Sequence, residues 1–142
     1  MTDTGEPTPR RVAHAVAHLW LSAAIALIFS AAIWLGFVAL PSAADSKVMN
    51  AVVSLLTSAF LGFFAWKISA RRNWARWLFA IVTAFGAVSL ALAIFFAPEM
   101  WRAASGLLWG VALVQTVLQV AAVIFLFSME ARQWFGQKGA AL

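Results

Sequence analysis

The stretch from Trp66 to Trp77, WKISARRNWARW, lies between two long apolar runs and constrains the chain more than any other feature. Four of the ten Lys and Arg residues fall here, Lys67, Arg71, Arg72 and Arg76, interleaved with Trp66, Trp74 and Trp77. This is the composition of a short loop at a membrane surface, because indole rings settle in the headgroup layer and Lys and Arg concentrate in cytoplasmic loops. The runs on either side, about 48–68 and 77–97, each match the roughly 20 residues a helix needs to cross the hydrocarbon core.

Two further runs, about 17–40 and 106–128, complete the set. The chain has 142 residues, 64% of them hydrophobic and 11% charged. A soluble domain averages about 45–50% apolar and about 25% charged residues, so this chain has too little polar surface to cover a water-soluble globule. The fold expected is all-α, an integral membrane four-transmembrane-helix bundle forming a single domain over 1–142. Residues 1–11, with two prolines and mixed charges, read as a flexible cytoplasmic tail. Arg10 and Arg11 before the first run, and Ser42 and Ala44 after it, also suit a signal peptide. The run exceeds the usual apolar core of roughly 7–15 residues, so it is read as a retained anchor. Pro41 and Pro98 are expected to close the first and third spans.

Charge sets the orientation. With the N-terminus inside, Arg10, Arg11, Lys67, Arg71, Arg72, Arg76, Arg132 and Lys138 lie on the cytoplasmic side and only Lys47 and Arg102 on the other. Both termini are therefore expected inside. The net charge of +5 is divided among the ends of the apolar runs. It therefore points to anionic headgroups, and no nucleic-acid partner is expected. The absence of cysteine excludes disulfides, thiolate metal sites and thiol redox chemistry.

Residues three and four apart share a helix face. Each run has such a face of small or weakly polar residues: His14, His18, Ser22, Ala26 and Ser30; Asn50, Ser54, Ser58 and Gly62; Ala80, Ala84, Ala87 and Ala91; and Gly106 with Gly110, a GxxxG. Close approach through small residues supplies the dispersion contact that holds helices together in lipid. On the last run Gln115 and Gln119 project roughly opposite to the glycines. An amide in hydrocarbon needs a partner, so this face must be covered by protein or water. Either both faces pack within the chain, or one meets a second subunit.

The chemistry of the side chains is sparse. His14 and His18, at i and i+4, are the only histidines, and neither a metal nor a cofactor is expected at them. The five carboxylates, Asp3, Glu6, Asp45, Glu99 and Glu130, all fall outside the spans. Ion-coupled transport usually leaves an ionisable group within the bilayer, so it is not expected. No hydroxyl has a paired base, and no enzymatic activity is expected. Arg71, Arg72 and Arg76 are expected at the cytoplasmic surface, where each contributes about 1 kcal/mol toward anionic lipid. The plainer account of these three is that they only set topology.

At RRNWARWLF, residues 71–79, and at SMEARQWF, residues 128–135, the chain resembles a family of small uncharacterised bacterial four-helix inner-membrane proteins. The resemblance implies a multi-pass location in the bacterial inner membrane and lends no activity or catalytic residue.

The functional expectation is a non-catalytic membrane protein acting through helix-to-helix contacts, as an accessory subunit or interaction partner of a membrane assembly, an immunity-type partner included. Its partners are the lipid bilayer and either another membrane protein or a second copy. Gly106, Gly110, Gln115 and Gln119 are the candidates for packing or partner contact, and Arg71, Arg72 and Arg76 for the anionic-lipid surface. The alternative is a lipid or small-hydrophobe binder or carrier, monomeric or dimeric, with the Gln face as its polar lining.

Overall fold

A computed structural model describes residues 8–38, 47–96 and 106–136. Among them all regular structure is helical and there is no strand. Four long helices, α1 (Arg10–Trp34), α2 (Lys47–Ser69), α3 (Asn73–Phe96) and α4 (Gly106–Leu126), precede a short α5 (Met129–Gly136). Runs with so few polar side chains must satisfy their backbone N–H and C=O groups internally, which the helix does. Each of the four is long and apolar enough to cross a membrane.

The helix ends have local causes. Pro9 precedes the first turn of α1, and the Ala13 N–H donates to the Pro9 carbonyl at 3.0 Å. The helix thus begins at Arg10 rather than near residue 17, and it takes in Arg10 and Arg11 from the expected tail. It stops at Trp34 rather than near residue 40. Gly36 takes φ +82°, and the Phe37 N–H reaches back to the Ala32 carbonyl while the Gly36 N–H reaches Ile33. This is a Schellman closure, which needs a left-handed residue that glycine supplies without steric cost. Pro41 and Pro98 lie outside the described residues.

α2 closes the same way with a less suited residue. The Arg72 N–H donates to the Lys67 carbonyl and the Arg71 N–H to the Ile68 carbonyl, with Arg71 left-handed at φ 56°. At the far end of the chain Ser128 ends α4 and starts α5. Its hydroxyl donates to the Phe125 carbonyl at 2.8 Å and accepts the Ala131 N–H at 3.5 Å.

α1 packs along α2 and along α4, and α3 completes a ring by touching α4 and α2. The α1–α2 contact is the closest. Ser58 donates to the Ala23 carbonyl at 3.0 Å, and Gly62 lies so near the Trp20 ring that an added Cβ would meet it at 3.3 Å. The core is lopsided. It gathers Val12, Ala15 and Leu19 of α1, Leu61, Phe64 and Ile68 of α2, Ala75 and Phe79 of α3, Leu126 of α4, and Trp134 and Phe135 of α5. All of these lie at the end where α2 turns into α3. Toward the other end burial persists on α1 to Ile33 and fades from the other three helices.

Of the alanine face expected for α3, Ala80 and Ala87 are half-buried and Ala84 and Ala91 exposed, while Ala75, Arg76, Phe79 and Thr83 point inward. The ring touches α3 mainly along its first half, so the large Phe79 and its helical neighbours meet the bundle there.

Ala65 is fully buried in the core. Ala65→Leu is expected to cost about 1–3 kcal/mol by overpacking. Ala59→Leu, on the exposed face of the same helix, should change stability by no more than about 0.5 kcal/mol. Unfolding by titrated SDS in mixed micelles measures both.

Candidate functional site

Two regions of the bundle carry polar groups that the fold leaves incompletely matched. The first is the closed end. The α2–α3 turn holds Arg71 left-handed, a conformation that costs a residue with a Cβ roughly 1–2 kcal/mol. In that conformation its guanidinium lies 4.5 Å from the centre of the Trp134 ring. Trp134 in turn meets Phe135 edge-on at 4.9 Å. Neither ring lies at the surface, as a place in the headgroup layer would require; both are buried, because α5 folds back beneath the bundle.

Arg76 departs furthest from its expected place. One turn into α3, it is only 8% exposed, and so lies inside the protein rather than on the surface. Its guanidinium is surrounded by Phe135, Phe127 and Trp77 at 5.0, 5.3 and 5.9 Å. Cation–π contact is worth about 2 kcal/mol or more where the cation is desolvated, which offsets part of the burial cost. That cost is several kcal/mol for an ion without a counter-charge. Its Nε and Nη1 are sealed and make no hydrogen bond, and the Trp134 indole N–H is likewise buried without an acceptor. Among the described residues the carboxylate at this end is Glu130, which lies 3.9 Å from Arg11 with both side chains largely exposed. Arg72 is exposed. Among the described residues the closed end is therefore rich in cationic donors, with Glu130 as its carboxylate.

The second region runs from the middle of the bundle toward the other end, where burial fades from α2, α3 and α4. A cavity of about 400 Å³ opens between α2 and α3, lined by Leu56, Thr57, Phe60, Phe79, Thr83 and Gln119 among others. A smaller one of about 210 Å³ lies among α1, α2 and α4, with Asn50, Ser54, Thr57 and Gln115 on its wall. Thr57 borders both. The Thr83 hydroxyl and the Asn50 amide oxygen are buried there without a hydrogen-bond partner. Gln115 turns inward, and its Nε2 donates to the Ser22 carbonyl at 3.3 Å, tying α4 to α1. Gln119 lines the larger cavity.

The remaining candidates separate from these. Gly106 and Gly110 are exposed, and a Cβ added to either would meet nothing within 4 Å, so the GxxxG face makes no close contact within the chain. His18 Nδ1 lies 2.6 Å from the His14 carbonyl, and both imidazoles pack on Phe125 of α4, at 5.5 and 6.0 Å. Among the described residues no group of three metal-ligating side chains comes together.

Sequence reading missed the burial of Arg76 and Trp134. The signal was present for the first: Arg76, Phe79 and Thr83 follow one another at spacings of three and four, so the arginine shares the inward face of α3. Nothing in the sequence marks α5 as folding back.

Comparison with protein-family models, with curated proteins and with solved structures gives no match for this chain.

Arg71→Gly and Arg71→Ala both remove the contact with Trp134, but only glycine relieves the left-handed backbone. The glycine variant is expected to be more stable than the alanine variant by about 1 kcal/mol. Equal unfolding midpoints in micelles would show that the turn is not held left-handed.

Proposed function

We propose that the chain is a non-catalytic, four-span protein of the bacterial inner membrane, with both termini cytoplasmic, that acts through helix contacts as an accessory subunit or interaction partner of a membrane assembly. The observation that carries this reading is the outward-facing Gly106–Gly110 surface of α4, a small-residue face that the chain's own bundle does not use. In lipid such a face lets a second helix approach closely enough for dispersion contact to hold it. Four helices of sufficient length and apolarity, and the excess of Lys and Arg at the α2–α3 end, support the location and orientation. Isolating the tagged chain in mild detergent, with mass spectrometry of proteins and lipids, tests it. A stoichiometric companion, a second copy or another membrane protein, is expected with the wild type. It should be lost on joint substitution Gly106→Leu and Gly110→Leu and kept with Ala59→Leu. A companion indifferent to the glycine pair counts against this surface.

The cavity between α2 and α3 favours a second reading, a binder of lipid or another small hydrophobe. Its wall is apolar except for Thr57, Thr83 and Gln119, and the Thr83 hydroxyl lacks a partner. An amphiphile with one polar group suits such a wall, since in hydrocarbon an unmatched amide or hydroxyl is costly. Under this reading a co-purifying small molecule disappears in Gln119→Leu while the oligomeric state stays unchanged.

A further inference from the structure

We infer that the closed end of the bundle is a binding site for a phosphate group, with Arg76 as its central ligand, the Trp134 indole N–H as a second donor and Arg71 supplying flanking charge. This goes beyond the proposed helix-contact role and does not depend on it. Three observations converge. Arg76 is more than nine-tenths buried, yet its Nε and Nη1 donate to nothing. The Trp134 indole N–H, on the ring that adjoins Phe135 just as Arg76 does, is a second buried donor without an acceptor. Arg71 sits over Trp134 at the cost of a left-handed backbone, and the carboxylate described at this end, Glu130, is directed to Arg11.

Aromatic rings alone cannot complete such a site, because they offer a guanidinium attraction to their faces but no acceptor for its N–H groups. Among the described residues no anion with several acceptor oxygens meets Arg76 Nε and Nη1 or the Trp134 N–H. A phosphate meets this requirement, and guanidinium groups are suited to it by their planar array of donors. In the proposed orientation this end faces the cytoplasmic leaflet, where acidic phospholipids gather, so two sources share the chemistry: a lipid headgroup and free phosphate. α5 is short and joined to α4 through Ser128, and it carries both Trp134 and Phe135. Under this proposal a phosphate reaches Arg76 only if α5, which carries both rings, shifts away from it.

The test uses the full chain in mild detergent, equilibrated with phosphatidylglycerol or with phosphatidylcholine, and native mass spectrometry to count retained lipids. Inorganic phosphate, titrated against tryptophan fluorescence, forms the second arm. Arg76→Gln is expected to lower retention of phosphatidylglycerol about tenfold, the loss that follows from one or two charge-assisted hydrogen bonds. Arg72→Gln, which removes the same charge from an exposed position, should lower retention by about fivefold at most, less than Arg76→Gln does. Trp134→Phe keeps the ring, loses the N–H and should fall between them. Lipid retention without a phosphate response identifies the headgroup; a phosphate response that Arg76→Gln abolishes identifies free phosphate. Should Arg76→Gln fail to fold, Arg76→Lys and Trp134→Phe decide in its place. Wild-type binding in both of those, equal losses in Arg76→Gln and Arg72→Gln, or no binding of either probe by wild type overturns the proposal.

Discussion

The close contact of α1 with α2 is the interaction on which the rest of the bundle depends. Between apolar helices in lipid there is little hydrophobic drive, so approach distance decides the strength of contact. Ser58 and Gly62 on α2 permit that approach, one by donating to the Ala23 carbonyl and the other by leaving room for the Trp20 ring. α1 then presents its other side to α4, where Gln115 reaches the Ser22 carbonyl. α3 is held by Phe79 against Phe64 and by the short turn that joins it to α2.

That hierarchy explains why the molecule is closed at one end and open at the other. The bulky rings of Phe64, Phe79, Trp134 and Phe135 are collected at the closed end, where α5 adds a further layer. At the other end the inward positions of α2 and α4 carry Asn50, Ser54, Thr57, Ala112 and Gln115, which are too small or too polar to fill the space, and cavities remain. The two ends thus differ in chemistry as well as packing. One is cationic and donor-rich, the other apolar with isolated amides and hydroxyls. The Arg76 cluster, the cavity between α2 and α3 and the Gly106–Gly110 face share no residue.

Much of the architecture was legible in the chain before any packing was known. Run length and the lack of charge mark four helices, since a long apolar segment can satisfy its backbone only within itself. Of the face of His14, His18, Ser22, Ala26 and Ser30 on α1, the last three are buried and His14 is exposed; of Asn50, Ser54, Ser58 and Gly62 on α2, Ser58 is buried and the others are half-buried. Less visible was the end of α1. A proline at position 41 is the more conspicuous signal, but the left-handed turn at Gly36 closes the helix first.

What the sequence determined by itself, then, is the number and type of the long helices and the concentration of Lys and Arg around the α2–α3 turn, because both depend only on the local series of side chains. The tertiary structure decided which of the candidate residues meet. Gln115 turns inward while Gly106 and Gly110 face out, and Arg72 remains exposed while Arg76, four residues on, is enclosed by rings from α3, α5 and the turn between α4 and α5. Spacing along one helix fixes which residues share a face but not what that face meets, and the return of α5 beneath the bundle is what turns an expected surface arginine into a buried one.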